Sequence, residues 1–428
     1  MRDRLRNTWK NHSRALTAVI LILGVVGVVL YLAQDPKALR VESPVEASDP
    51  RFPDYVASLI GSPVERGDAY HVLHNGDETY PAMLAAIDGA KSRINFETYV
   101  FSDGEIGDRF VQALARAAQR GVNVRIVVDP IGSKISSKNE ELLKQSGAHL
   151  SWFNPLGFFS IEDFNYRTHR KTLVVDGTVA FTGGMGVADH WLGNAQAKEN
   201  WRDTHFQITG PAVRALESSF YENWIESGGL SAPALDPELP SQQTGARSIV
   251  LWSNPMSGAS NVKLLYLLAI AAARQTIDIQ SPYITFDPST QWSIEQARQR
   301  GVRVRMLAEG PITDAMPVKH ASRYDYQKQL DLGIEIFEYQ PTMMHTKAVI
   351  VDGVLSLIGS ANFGNRSFEL NDELTVAVFD RELAAALTRD FDNDTRVSMK
   401  LDRATWKDQR SFDGKLQEWF WDWFGEMF

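Results

Sequence analysis

No cysteine occurs anywhere in the 428 residues, so disulfides, thiolate zinc sites and cysteine nucleophiles are all excluded. Positive charge is not in excess either. The formal net charge is -9 at pH 7, which argues against the broad basic face that coats nucleic acid. A local basic pocket for an anionic head group stays compatible with that balance. No carboxylate cluster with two-metal spacing is evident, so a metal-free, cofactor-free chemistry is expected. What remains is globular in character: 44% apolar and 23% charged residues, in a chain whose length suggests two domains.

One segment is not globular. Residues 15–33 read ALTAVILILGVVGVVLYLA, uncharged and with Thr17 as the plainly polar residue. At about 1.5 Å per residue such a helix just spans a hydrocarbon core of about 30 Å. Five basic residues precede it (Arg2, Arg4, Arg6, Lys10 and Arg14) against the single acid Asp3. The positive-inside rule puts the N-terminus in the cytoplasm and the rest beyond the inner membrane. Tyr31 and Ala33 make a poor small-x-small cleavage site, so the expectation is an uncleaved single-pass anchor rather than a signal peptide.

Pro36, Pro44, Pro50, Pro53 and Pro63 punctuate residues 34–67, which read as a linker. Beyond it the chain repeats itself. AMLAAIDGAKSRINFETYVF echoes LLYLLAIAAARQTIDIQSPYI; RGVNVRIVVDP echoes RGVRVRMLAEGP. SGAHLSWFNP echoes LGIEIFEYQP, and HRKTLVVDGTVAFTGG echoes HTKAVIVDGVLSLIGS. Four matches in one order, each shifted by a similar distance, mark a duplicated unit. Within a unit, amphipathic FVQALARAAQRG reads as a helix closed by Gly121, and VRIVV as a buried strand.

The predicted fold is therefore α/β: two similar sheet-and-helix domains packed about a pseudo-two-fold, preceded by one transmembrane helix. The expected boundaries are a basic segment at 1–14, the anchor at 15–33 and the linker at 34–67. They continue with domains at 68–230 and 247–398, joined by 231–246. An aromatic tail follows at 399–428. That tail, with Trp419, Phe420, Trp421, Trp423 and Phe424, suits either a membrane interface or a docked surface element. Its acids Glu418, Asp422 and Glu426 weigh against lipid.

Each unit carries a His and a Lys at i, i+2: His169 with Lys171, and His345 with Lys347. On a strand that spacing puts imidazole and ammonium on one face. Asp176-Gly177 and Asp352-Gly353 follow as hairpin-type turns, and both aspartates read better as turn-formers than as proton carriers. Return strands lead to Gly183-Gly184 and Gly359-Ser360. Downstream, Asp203 follows His169 and Glu373 follows His345; each carboxylate is placed to take a proton from the far nitrogen of its own His. Two histidines allow one to attack phosphorus while the other protonates the leaving oxygen. Two lysines supply cationic stabilisation to the phosphoryl oxygens, and Ser360 and Asn362 read as small donors to the same oxygens. A single His-x-Lys is weak evidence, but the same long motif twice, in register with a whole-domain repeat, is not.

The motif H-x-K-x-x-x-x-D-x-x-x-x-x-x-G-[GS], present twice, resembles the signature of the phospholipase D superfamily. WRDTHFQITGPAV, EYQPTMMHTKAVIVDG and NRSFELNDE are similar to its bacterial cardiolipin synthase branch. The resemblance implies one shared pocket, with His169 as nucleophile and His345 as general acid and base. It also implies phosphatidyl transfer between two phosphatidylglycerol molecules, with phospholipid membrane as partner and nucleic acid not. The first motif departs from the pattern at Gly186, where such enzymes usually keep an Asn. Arg167 and Arg170 flank His169, and Lys319, His320 and Arg323 form a second basic run; each group suits either a second phosphate or a solvated face. A hydrolase using water, a nucleic-acid phosphodiesterase and a catalytically poor membrane scaffold are the alternatives. The anchor and acidic charge oppose the second, and four intact His and Lys residues oppose the third.

Overall fold

The computed structural model describes residues 38–155, 166–229, 244–254, 261–406, 410 and 412–422. The expected anchor at 15–33 lies outside these, as do residues 231–243 of the predicted join. Among the described residues no helix is long and apolar enough to cross a membrane.

The repeat is visible strand by strand. The first half comprises β1 (Glu65–His74), β2 (Arg93–Thr98), β3 (Asn123–Val128), β4 (His149–Trp152), β5 (Arg167–Thr168), β6 (Thr172–Val175), β7 (Val179–Gly183) and β8 (Thr204–Thr209). The second comprises β9 (Ala246–Trp252), β10 (Thr276–Gln280), β11 (Arg303–Glu309), β12 (Glu335–Tyr339), β13 (Ala348–Val351), β14 (Leu355–Gly359), β15 (Asn371–Asp372), β16 (Leu374–Phe379) and β17 (Ser398–Lys400). All but β5 and β15 join one 15-stranded sheet, ordered β17-β12-β11-β10-β13-β14-β16-β9-β1-β8-β7-β6-β2-β3-β4. That order is a palindrome about the antiparallel pair β1–β9, apart from the extra edge strand β17. The duplication read from sequence thus becomes one continuous sheet with its pseudo-two-fold at the seam.

Helices cover both faces. On one side lie α1 (Phe52–Ile60), α2 (Asn75–Gly89), α3 (Glu105–Gln119), α4 (Ser137–Ser146), α6 (Asn261–Ala272) and α7 (Pro288–Gln299), in two separate apolar cores, one per half. On the other, α5 (Ala212–Glu226) and α10 (Arg381–Arg396) bracket the seam; Val213, Leu216, Leu383 and Leu387 bury there against Phe206, Val250, Ile350 and Val376. That third core welds the halves, because both faces of the central strands are apolar.

Two expectations change. The predicted linker at 34–67 contains α1, whose Phe52, Val56 and Ile60 are buried with Ile249, Leu265 and Leu268 of the second half. Pro53 had suggested a break. It occupies the first turn of the helix, where its missing N–H has no intrahelical role. The predicted tail at 399–428 also contributes structure: β17 extends the sheet, and Leu401 and Trp406 are buried. Helix α11 (Phe412–Asp422) packs on α8 (Met316–Tyr324), held by Glu418, which pairs with Arg323 at 3.6 Å and Arg410 at 2.5 Å. α9 (Tyr326–Asp331) completes that edge.

Candidate active site at the seam

The two His-x-Lys triplets do not lie on strands. Each occupies the extended connection just before one, His169–Lys171 ahead of β6 and His345–Lys347 ahead of β13. Imidazole and ammonium are neighbours all the same: Lys347 Nζ lies 3.1 Å from both ring nitrogens of His345, Lys171 and His169 line one cavity, and each ammonium also donates to its histidine's carbonyl at 2.8 Å. Asp176 and Asp352 sit at the far ends of β6 and β13, away from the histidines. Both have positive φ, 53° and 51°. Asp176 accepts the backbone N–H groups of Lys91, Ser92 and Arg93; Asp352 does the same for Arg274, Gln275 and Thr276. They are turn-formers that also tie down the start of β2 and β10.

The carboxylate partners are exchanged relative to the sequence expectation. His169 Nδ1 lies 2.9 Å from Glu373 Oε1 of the second half, and His345 Nδ1 lies 2.8 Å from Asp203 Oδ2 of the first. Short parallel pairings impose the crossing. β5 pairs with β15, so His169 N–H donates to Asp372 O at 2.9 Å. The equivalent contact joins Arg202 to Met344, and His345 N–H donates to Arg202 O at 2.7 Å. Each histidine is therefore laid beside the other half's carboxylate by backbone hydrogen bonds.

Behind the carboxylates the halves differ. Ser360 does not reach the cavity as a donor; its hydroxyl is given to Glu373, as is that of Ser367 at 2.6 Å. Where Ser360 stands, the first half has Gly184, and a Cβ there would lie 2.1 Å from Asp203 Oδ1. Asp203 instead takes Trp191 Nε1–H at 3.0 Å and Thr204 N–H at 2.8 Å. Gly183 and Gly359 precede these positions at φ of 150° and 146°, a backbone region that favours glycine. The absent Asn at Gly186 has a steric cause. A Cβ would sit 2.8 Å from Val100 O and 3.3 Å from the Trp191 ring, so that space is already filled.

Burial governs the charges. It lowers the His169 pKa to about 4, with Glu373 opposing and Lys171 reinforcing. Desolvation likewise takes His345 well below the usual imidazole range, with Lys347 next in effect. Glu373 is pushed up by burial, but His169, Lys171 and Ser360 hold it at about 2. Burial raises Asp203 to about 6 against the pull of Lys347. Desolvation lowers Lys171 to about 7, helped by Lys347, and lowers Lys347 to about 8. At neutral pH this arrangement suits neutral imidazoles that donate Nδ1–H to ionised carboxylates; His169 then keeps its Nε2 lone pair for chemistry, while Lys347 Nζ lies 3.1 Å from both ring nitrogens of His345.

Both histidines face one cavity of about 1070 Å³. Its wall near His345 is aromatic: Trp201 and Trp191 lie with ring centroids 5.2 and 5.5 Å from the imidazole. Its wall near His169 carries Tyr99, at 5.1 Å, and Lys134, Arg167 and Arg366 also line the cavity. Asn362 lines the cavity, and its Oδ1 accepts no hydrogen bond among the described residues. Of the basic residues singled out in the sequence, Arg167 reaches the cavity. Arg170 is buried against Glu222 and the carbonyls of Ser219 and Ser253. Lys319 donates to Gly310 O and Arg323 to Glu338, neither in the cavity wall. Trp191, Trp201, Tyr99 and Arg366 were not foreseen, although Trp201 stands two residues before Asp203 and Arg366 lies inside the quoted NRSFEL run.

Two His-Lys half-sites meeting at the seam of a duplicated α/β fold define a phospholipase D-type phosphoryl-transfer site. The sequence matches the family described as "Cardiolipin synthase, PLD-like domain" twice, over residues 83–210 and 266–395. It is 33% identical over 396 residues to a cardiolipin synthase of Geobacillus kaustophilus, covering 91% of this chain and 78% of that protein. It is 30% identical over 374 residues to cardiolipin synthase 1 of Bacillus anthracis, covering 85% of this chain and 73% of that one. The fold is shared with phosphatidylserine synthase of Haemophilus influenzae, at a TM-score of 0.69 and 13% identity over 88% of this chain and all (100%) of that one. Polyphosphate kinase of Porphyromonas gingivalis aligns at a TM-score of 0.54 and 15% identity, over 78% of this chain and 49% of that one. The chain belongs to the cardiolipin synthase family of the phospholipase D superfamily and is a phosphatidyltransferase of that kind.

Proposed function

We propose that this enzyme makes cardiolipin, moving a phosphatidyl group from one phosphatidylglycerol to a second through a phosphohistidine. The crossed pairs His169–Glu373 and His345–Asp203, facing one cavity, carry the reading. His169 Nε2 attacks phosphorus while the departing glycerol oxygen takes a proton from His345. The second phosphatidylglycerol then gives its hydroxyl proton to His345 as its oxygen displaces His169 from phosphorus. His345 is neutral before lipid arrives, and an incoming phosphodiester anion favours the protonated form that the first step needs. Lys171 and Lys347 stabilise the equatorial oxygens. The family resemblance supports His169 as nucleophile, and so does the firm ionisation of its partner Glu373.

Purified full-length protein with phosphatidylglycerol vesicles is expected to yield cardiolipin and glycerol by lipid mass spectrometry, with phosphatidic acid minor. His169→Ala and His345→Ala should each abolish nearly all of it. Phosphatidic acid dominating at every lipid density would make the enzyme a phospholipase D instead. The reading extends to topology: the basic residues before position 15 support an N-in anchor with the catalytic unit outside. Protease added to intact spheroplasts should then digest that unit, and full protection would reverse the orientation.

A further inference from the structure

The cavity holds more positive charge than one phosphodiester requires. The protein as a whole is at -9, yet among the described residues the charged side chains lining the cavity, besides its histidines, are Lys134, Arg167, Lys171 and Arg366 against one carboxylate, Asp314. Asp314 accepts the Tyr283 hydroxyl. Glu373 and Asp129 stand behind His169 and Arg167, at 2.9 and 3.7 Å, and are not part of the lining. Lys171 belongs to the reacting phosphate. The other three cations have no part in the two-histidine chemistry.

The placement of the two arginines is one-sided, although the fold is nearly symmetric. Around His345 the wall is built from Trp191, Trp201 and His190; Tyr99 stands beside His169, Arg167 and Arg366 act on the charge of Tyr99, and Lys134 also lines the cavity. Arg366 enters on the helical turn Arg366–Leu370, which also delivers Ser367 to Glu373. Burial pulls its pKa below the usual guanidinium value, while Tyr99, Glu373 and Asp129 act to raise it, and Arg167 adds repulsion. Arg167 is held in place by the carbonyls of Tyr166 and Asn154, at 2.7 and 2.9 Å, and an anion entering the cavity offsets the positive charge that it and Arg366 bring there.

We propose that Arg366, with Arg167 and Lys134, forms an anion subsite for the phosphate of the second phospholipid while its glycerol hydroxyl reacts. This rests on the phosphatidyl-transfer reading above and adds the basis of acceptor choice. Water and simple alcohols carry a hydroxyl but no charge. A phosphatidylglycerol acceptor carries a phosphodiester three carbons from its reacting oxygen, and only that feature distinguishes it chemically at this wall. Held there, the acceptor is oriented toward phosphorus at high effective concentration, which lets it compete with abundant water.

The test is a partition experiment on the full-length protein. Phosphatidylglycerol vesicles are supplied with a fixed concentration of ethanol, and cardiolipin, phosphatidylethanol and phosphatidic acid are quantified together. All three come from the same phosphohistidine, so their ratio reports acceptor choice independently of total rate or folded fraction. Arg366→Gln should lower the cardiolipin-to-phosphatidylethanol ratio tenfold or more, Arg366→Lys should restore most of it, and Lys134→Gln should shift it less in the same direction. An unchanged ratio in both glutamine variants, with wild-type protein making cardiolipin, overturns the subsite and leaves the function standing. Wild-type protein that forms phosphatidylethanol but no cardiolipin overturns both.

Discussion

A buried imidazole becomes a useful nucleophile or base when something fixes its tautomer, and here the fixing group comes from the opposite half of the chain. The exchange makes a specific forecast. Asp203→Asn impairs His345, and Glu373→Gln impairs His169, each by about 10²–10⁴-fold in turnover of phosphatidylglycerol. With an aryl phosphodiester, whose leaving group needs no proton, the two should separate. Asp203→Asn should still give a burst of phosphoenzyme on His169, and Glu373→Gln should not; the reverse result would mean that carboxylates serve the histidines of their own halves. The pH dependence follows from the same groups. As pH falls through about 6, Asp203 is protonated and can no longer take the His345 proton. As pH rises through about 7 and then 8, Lys171 and Lys347 lose their charge. A bell-shaped kcat/KM with its maximum between about 6 and 7 is expected, measured on dilute substrate so that free enzyme is reported. At Gly186 the sequence suggested a missing donor, and the structure shows a filled space. Gly186→Asn should therefore lower thermal stability by about 1–3 kcal/mol and fail to raise the rate.

At the scale of elements, the strands and turns set out where the chemistry can stand. β6 and β13 are fixed at one end by the aspartate turns and at the other by the pairings that deliver the histidines. Asp176→Ala removes the acceptor of several backbone N–H groups at the start of β2. It is expected to cost about 1–3 kcal/mol, read as a lower Tm, while kcat of the folded fraction stays within a few-fold. A loss of kcat without loss of Tm would make Asp176 a catalytic residue instead of a turn-former. Much of this level was legible in the sequence, because the echoes quoted above map onto β2 and β10, β3 and β11, β4 and β12, and β6–β7 and β13–β14. The His–carboxylate crossing was not. His169 and Glu373 are 204 residues apart, and the two-residue strands that join them carry no periodicity to read. Ser360 was misread for a related reason: a hydroxyl's direction depends on Glu373 behind it, and nothing local reveals that. The helix α1 was hidden by prolines that mark a helix start as readily as a linker.

For the whole molecule, the sheet runs unbroken through both halves and the cavity opens where they meet, so site geometry depends on the seam core as much as on the site itself. Charge is distributed unevenly on the same scale, acid overall and cationic within the cavity. In the proposed mechanism the lysine pair takes the part that a divalent ion would play at a phosphoryl group. Turnover in excess chelator should therefore stay within about two-fold of the untreated rate once lipid surface charge is matched. Complete loss, restored by a divalent ion alone, would require a different mechanism.

The exchange of carboxylates also bears on inheritance. A lone half has a histidine without its proton acceptor and an acceptor without its histidine, so it becomes whole only beside a second copy of itself. Once two copies share one chain, neither can drift on its own terms. An alteration at Glu373 is felt at His169, one at Asp203 is felt at His345, and selection acts on the partnership.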